Sequence, residues 1–326
     1  MYKKSILFLI MAALVFIACI IYFHQANSVT IDIINTTKDK IHSYAIYTKD
    51  GDILYTSEIA SFRSTLYNNV VVKAKDISIK NPIGLIENPP DKSITDVKNI
   101  ALKSLEDNKN ALIIYIDGLG YELYEKAINL DKIPYMASLN KGEKALTVYP
   151  PITDVAFASM VTGETPKYTN IHSREKKPMG VDTLFDEVAK KGMKSKVIEG
   201  NIKILTCDVE TVLNIDENNN GFIDDEIYKC ALREIHNPPH ILLVHFHSYD
   251  DIGHKYGPNS EEALNQLNVL DGYIKDIVEN YKGDVIITSD HGMHNDGDGG
   301  SHGIFCAEDL FIPIIIKKAV TPHFCY

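Results

Sequence analysis

A chain of 326 residues, 45% of them hydrophobic, is long enough to bury one large core and a smaller extension. Its 33 Lys and Arg against 44 Asp and Glu leave a net charge of −11. That balance, with no basic stripe along the chain, excludes electrostatic capture of a nucleic-acid duplex.

The chain opens with Lys3 and Lys4, followed at residues 5–23 by an uncharged, almost wholly apolar run. A run of that length spans a bilayer as a helix. His24-Gln-Ala26 is a poor cleavage site, so residues 1–27 are expected to be an uncleaved signal anchor. The lysines would stay in the cytoplasm and the rest would lie outside, on a single-pass membrane protein. A cleaved signal peptide is the alternative. Phe16-Ile-Ala-Cys19 also loosely resembles a lipobox, although the apolar run continues past Cys19. No Cys-x-x-Cys pair occurs, which argues against a thiolate zinc site. Cys207 and Cys230 share one connecting segment and are expected either to pair or to stay as two buried thiols.

Residues 28–105 read as a β-rich extension followed by a linker helix. Alternating polar and β-branched residues predict strands at 30–34, 43–47 and 70–74, with a turn at Lys49-Asp-Gly-Asp52. Asn88-Pro-Pro-Asp91 reads as a linker or helix entry, and a helical stretch follows to about Asn108. From 106 to 326 the pattern changes to apolar strands at 112–116, 195–198, 241–246, 284–288 and 311–316, with amphipathic helices between them. One helix begins near Val181 and stops at Gly192; another has Ser260 as N-cap and stops at Gly283. Near-continuous apolar strands separated by helices predict an α/β fold, an α/β/α sandwich around a mostly parallel sheet. Ligands in such sheets bind beyond the carboxyl ends of the strands.

Acids and histidines recur at those ends. Asp117 closes the first strand, with Gly118 and Gly120 beyond it. Asp250 and His254 stand four apart in Asp250-Asp-Ile-Gly-His-Lys-Tyr-Gly-Pro258, Asp290 and His291 are adjacent in Ser289-Asp-His-Gly-Met293, and His302 lies between glycines. Each alone has an ordinary reading: a helix cap for Asp117, a Gly-Pro turn around Asp250, a loop hydrogen bond for Asp290, a surface histidine for His302. Together they offer six metal ligands. Carboxylates mixed with imidazoles suit Zn2+, with Mn2+ as an alternative. Two such ions clamp a phosphoryl group, and a hydroxyl beside one of them, such as that of Thr153, becomes a nucleophile.

These motifs resemble the alkaline phosphatase superfamily, and within it the type I phosphodiesterase / nucleotide pyrophosphatase family, from about residue 111 to the C-terminus. Thr153…Ser159…Thr162-Gly163, the complete Asp250-to-Pro258 motif, Ser289-to-Met293 and Gly300-Ser-His-Gly303 carry the resemblance. It implies an alkaline-phosphatase-like fold with one divalent ion held by Asp250, His254 and His302. The other would be held by Asp117, Asp290, His291 and Thr153. It further implies that Thr153 attacks phosphorus, forming a phospho-threonine that is then hydrolysed. Phosphodiesters or nucleotide pyrophosphates are the implied substrates, borne on a small molecule, a nucleotide, or a lipid or polymer head group. A phosphomonoesterase, a phosphonate hydrolase or a glycerol-phosphate transferase of the same superfamily is the alternative, and a catalytically silent cell-surface binding module is a reading of another class. Where the family carries an Asn that contacts the phosphoryl group, this chain places Arg174, which either binds that group bidentately or is a solvated charge.

Asp216-Glu-Asn-Asn-Asn-Gly-Phe-Ile-Asp-Asp-Glu226 resembles an EF-hand loop, with Asp216, Asn218, Asn220, Gly221 and Asp224 suitably spaced for Ca2+. The twelfth position is Ile227, and Glu226 stands one place early. The competing reading is an Asn/Gly turn capping a helix that begins near Asp225.

Overall fold

The computed structural model describes residues 32–319, apart from 36–40, 42, 58, 65–69, 75–76, 81 and 175–176. The expected anchor at 1–27 lies outside the described residues. Among the described residues no helix is long and apolar enough to cross a membrane. The chain forms two compact units, one comprising residues up to Lys49 and Leu54–Asn88, the other Asp50–Ile53 and everything from Pro89.

The first unit is β-rich, as its alternating sequence predicts. Strands β1 (Asp32–Asn35), β2 (Tyr44–Thr48), β3 (Ile53–Thr56) and β7 (Pro82–Glu87) form a sheet in the order β1-β7-β2-β3. Strands β4 (Ile59–Ser64), β5 (Val70–Ala74) and β6 (Ile77–Lys80) form a second, antiparallel sheet. Ile46 and Leu85 are the buried centre of the four-stranded sheet, with Tyr44 and Leu54 packed against them.

The second unit is built on an eight-stranded sheet. Its strands are β8 (Lys92–Ser93), β9 (Ala111–Ile116), β10 (Glu143–Leu146), β11 (Ser195–Glu199), β12 (Glu210–Leu213), β13 (Ile241–Phe246), β14 (Asp284–Ser289) and β17 (Phe311–Lys317). They run in the order β12-β11-β13-β9-β14-β17-β10-β8, and β15 (His294–Asp296) pairs with β16 (Gly299–Ser301) in a separate hairpin. From β12 to β14 every neighbour is parallel; β17 is antiparallel to both β14 and β10. Strands β9, β13 and β14 are buried at every residue, which explains their near-continuous apolar sequence.

The helices are α1 (Asp96–Glu106), α2 (Tyr121–Asn129), α3 (Pro134–Ser138), α4 (Thr153–Thr162), α5 (Pro166–Thr169), α6 (Leu184–Lys190), α7 (Asp224–Glu234), α8 (Ser248–Tyr256), α9 (Glu261–Asn280) and α10 (Ala307–Leu310). Helices α1, α4 and α6 contact one another; α3, α7 and α8 each contact α9. Helix α1 buries Val97, Ala101 and Leu105 and packs on β9 and β14, within the second unit. Thr183 and Asp186 form the capping box that starts α6, and the Ser260 hydroxyl accepts from the Ala263 N–H to start α9. Cys207 and Cys230 are both free thiols.

Candidate active site

The register of the central strands gathers the acids. Ile116 on β9 lies beside Phe246 on β13 and Ser289 on β14, so all three strands end at one level. The residues that follow are Asp117, His247 and Asp290. Helix α4 starts at Thr153, whose side chain is 7% exposed, and its N-terminus favours an anion. Helix α8 puts Asp250 and His254 one turn apart on one face, and His302 follows the β15–β16 hairpin.

The three carboxylates are arranged alike: one oxygen is engaged and the other lacks a partner. Asp290 Oδ1 accepts from the Gly118 N–H at 3.0 Å, the His291 N–H at 2.9 Å and the Ser289 hydroxyl at 3.2 Å. Asp117 Oδ2 lies 3.6 Å from His245 Nε2 and 3.6 Å from His247 Nδ1. Asp250 Oδ2 is 3.2 Å from His254 Nε2. The remaining oxygens, Asp117 Oδ1, Asp250 Oδ1 and Asp290 Oδ2, are buried without a hydrogen bond. Gly118, at φ +80°, permits this crowding, because a Cβ there would stand 2.9 Å from Asp250 Oδ1.

The three histidines also share one arrangement. His254 Nδ1 donates to the Gly300 carbonyl at 2.9 Å, His291 Nδ1 to that of Gly292 at 2.9 Å, and His302 Nδ1 to that of Pro151 at 3.0 Å. A carbonyl only accepts, so each ring carries its proton on Nδ1 and turns Nε2 towards the carboxylates. His291 Nε2 is 3.3 Å from Asp290 Oδ2, 3.5 Å from Asp117 Oδ1 and 3.5 Å from Thr153 Oγ1. His302 Nε2 is 3.9 Å from Asp250 Oδ1, and the His291 and His302 rings stack at 3.7 Å. Asp117, Asp290 and His291 can converge on one ion, and so can Asp250, His291 and His302. His254 stands beside the second set through Asp250. His291 thus lies between the two groups.

Unpaired charge distorts proton affinities here. Burial and then the neighbouring Asp117 push the Asp290 carboxyl up to about 7. Burial, then His291, lowers His302 to about 4, while the contact with Asp250 raises His254 to about 9. Such opposed shifts arise because buried acids and imidazoles crowd one cleft.

The sequence reading missed an adjoining network. Glu199, at the end of β11, lies 2.9 Å from His245 Nδ1 and 2.6 Å from His247 Nε2. Burial opposes its charge, but the two imidazoles lower Glu199 to about 2. Asp224 accepts from the N–H groups of His247 and Ser248 at 2.9 and 3.0 Å. One signal was available: His245 is the polar residue in the otherwise apolar strand ILLVHF. A cavity of about 550 Å³ opens above the site, lined among others by Asp117, Thr153, Arg174, His247, Asp250 and His254. Arg174 is exposed at its rim.

The model of the type I phosphodiesterase / nucleotide pyrophosphatase family matches residues 208–311, the segment that carries Asp250, His254, Asp290, His291 and His302. That segment, about a third of the chain, is similar to this branch of the alkaline phosphatase superfamily. Similar curated members include the human GPI ethanolamine phosphate transferase 3 catalytic subunit, 35% identical over 88 residues, which is 26% of this chain and 8% of that protein. GPI ethanolamine phosphate transferase 2 of Kluyveromyces lactis is 24% identical over 269 residues, covering 74% of this chain and 32% of that protein. The chain therefore matches only a fraction of the length of these relatives. Among solved structures, murine ectonucleotide pyrophosphatase / phosphodiesterase 5 is 18% identical with a TM-score of 0.45, over 58% of each chain.

Proposed function

We propose that this chain is a two-metal enzyme that cleaves phosphoric esters, most readily diesters, through Thr153. One observation carries the reading: three buried carboxylate oxygens without a hydrogen bond lie in one cleft with three imidazole Nε2 atoms, of which that of His291 is 3.5 Å from the hydroxyl at the start of α4. Oxygen and nitrogen donors of that kind fit Zn2+, with Mn2+ as the alternative. Asp117, Asp290, His291 and Thr153 would hold one ion, and Asp250, His254 and His302 the other. When bound, the ions supply positive charge that favours the Thr153 alkoxide and offsets the phosphoryl oxygens.

The chain's own groups do the rest. The backbone carbonyls of Gly292, Gly300 and Pro151 fix the three imidazole tautomers. The N-terminus of α4 favours the phosphoryl anion, and Arg174 reaches it from the rim of the cavity. Thr153 Oγ attacks phosphorus in line, and the alcohol departs on the side of the cavity. Water or a second alcohol then takes the phosphoryl group from Thr153 and restores the hydroxyl. The likeness to ethanolamine phosphate transferases favours an alcohol acceptor as the second reading. The enzyme would act outside the cell membrane, tethered by residues 1–27, on a phosphate-ester small molecule, nucleotide, or lipid or polymer head group.

Thr153→Ala should lose hydrolysis of bis-p-nitrophenyl phosphate by about 10³-fold or more while retaining both ions, because the nucleophile is removed and the carboxylate and imidazole ligands of each ion are kept. Near-normal turnover in that variant would refute the assignment. Adding glycerol to the wild-type reaction separates the two readings, since a transferase yields the glycerol p-nitrophenyl diester in place of p-nitrophenyl phosphate.

A further inference from the structure

The loop between β12 and α7 has no part in this reaction, yet it is built around oxygen atoms. We propose that residues 216–226 form a calcium site whose side-chain ligands are Asp216, Asn218, Asn220, Asp225 and Glu226.

Asp216, Asn218 and Asn220 alternate as the first three ligands of a calcium loop do, and Gly221 follows at φ +90° to make the sharp turn. Asp216 Oδ1 accepts from the Asn220 N–H at 3.1 Å and Oδ2 from the Gly221 N–H at 2.9 Å. The Asn218 and Asn220 amides both reach Asp225, at 2.8 and 3.1 Å. The loop therefore closes on Asp225.

The independent observation is Glu226, in the first turn of α7. It is 6% exposed, and its Oε2 has no hydrogen-bond partner. Its other oxygen and Asp225 share the Lys229 ammonium, at 3.5 and 2.7 Å, so the two carboxylates lie together on the loop side of the helix. Burial and the adjoining Asp225 both raise the proton affinity of Glu226. A buried carboxylate oxygen without a partner is costly, and a cation removes that cost. Asp225 and Glu226 share one ammonium here, so negative charge is in excess. Lys229 is 53% exposed and can swing away.

The donors are all oxygens, which selects a hard ion over Zn2+, and the absence of an imposed octahedral cage favours Ca2+ over Mg2+. Asp224 is not a ligand, contrary to its place in the sequence motif. Its carboxylate turns away to the N–H groups of His247 and Ser248. A bound ion would thereby steady the start of α8, which carries Asp250 and His254.

Equilibrium dialysis of the zinc-loaded full chain against radioactive Ca2+ in excess Mg2+ tests this. Wild type should bind one Ca2+ per chain saturably. The nearly isosteric Glu226→Gln and Asp216→Asn should each weaken it by about tenfold or more, as loss of a ligand does, with zinc content unchanged. Asp290→Ala should keep the calcium, because that residue belongs to the other site. No saturable calcium, or calcium unaffected by both loop substitutions, or calcium lost with Asp290, would overturn the proposal.

Discussion

Asp290 and the three imidazoles at the cleft are held by backbone groups, and the burial of Asp290 has a measurable consequence for acid. With the ions removed, Asp290 is pushed up to about 7 by burial and by Asp117. An ion held by Asp117, Asp290 and His291 needs the carboxylate, so below that pH its binding displaces the Asp290 proton. The zinc affinity of that one site should fall by about tenfold per pH unit below 7 from this group alone. Competition with a chelating dye across that range measures it, and a flat profile would show that Asp290 is not a ligand. Asp290→Ala should also lower the zinc content by one ion per chain. At this scale the sequence was informative where a residue type and a fixed spacing coincide, as in Asp250 to Pro258. It was silent on Glu199 and His245, whose strands read as ordinary core and whose neighbours come from other strands.

The elements deliver these residues because strand ends are aligned by hydrogen-bond register, and the apolar runs of β9, β13 and β14 made that alignment predictable. Strands β8, β10 and β12 were not anticipated. They are two to four residues long at or near the sheet edges, too short for periodicity to distinguish from loop. The antiparallel placement of β17 was equally invisible, since an apolar run carries no direction. Asp284, at the start of β14, shows how the elements are tied together. It is buried, yet accepts from Ser104 on α1 at 2.8 Å, Lys318 Nζ at 2.8 Å and the Ala319 N–H at 2.8 Å. Burial raises its proton affinity, but Lys318, Ala319 and Ser104 outweigh burial and hold it below the usual carboxylate range. A lowered folded pKa contributes stability above the unfolded value of about 4, lost as pH falls through the folded one. Asp284→Asn should cost about 1–2 kcal/mol near neutral pH, because a buried acceptor of hydrogen bonds is lost while Lys318 is half-exposed and its ion pair is screened. It should also flatten the acid limb of the stability profile. Urea unfolding from about pH 3 to 7 tests both, and an unchanged midpoint would contradict the role given to this carboxylate.

At the scale of the whole molecule, every candidate ligand and all eight strands of the large sheet lie after Pro89, while the sequence pattern alone had drawn the boundary near residue 105. The difference is α1, whose buried face belongs to β9 and β14. Only Asp50–Ile53 joins the second unit from earlier in the chain. There Asp52 accepts from Lys167 Nζ at 2.9 Å and from the Thr165 hydroxyl at 3.3 Å. A chain beginning at Pro89 should therefore fold, bind both proposed ions and retain turnover of a soluble diester within a few-fold. It should lose only about 1 kcal/mol, because Lys167 is partly solvated and its ion pair is screened. Chemical denaturation and metal analysis of residues 89–326 decide this. A fragment that is insoluble or binds no metal would mean that the first unit is part of the catalytic fold.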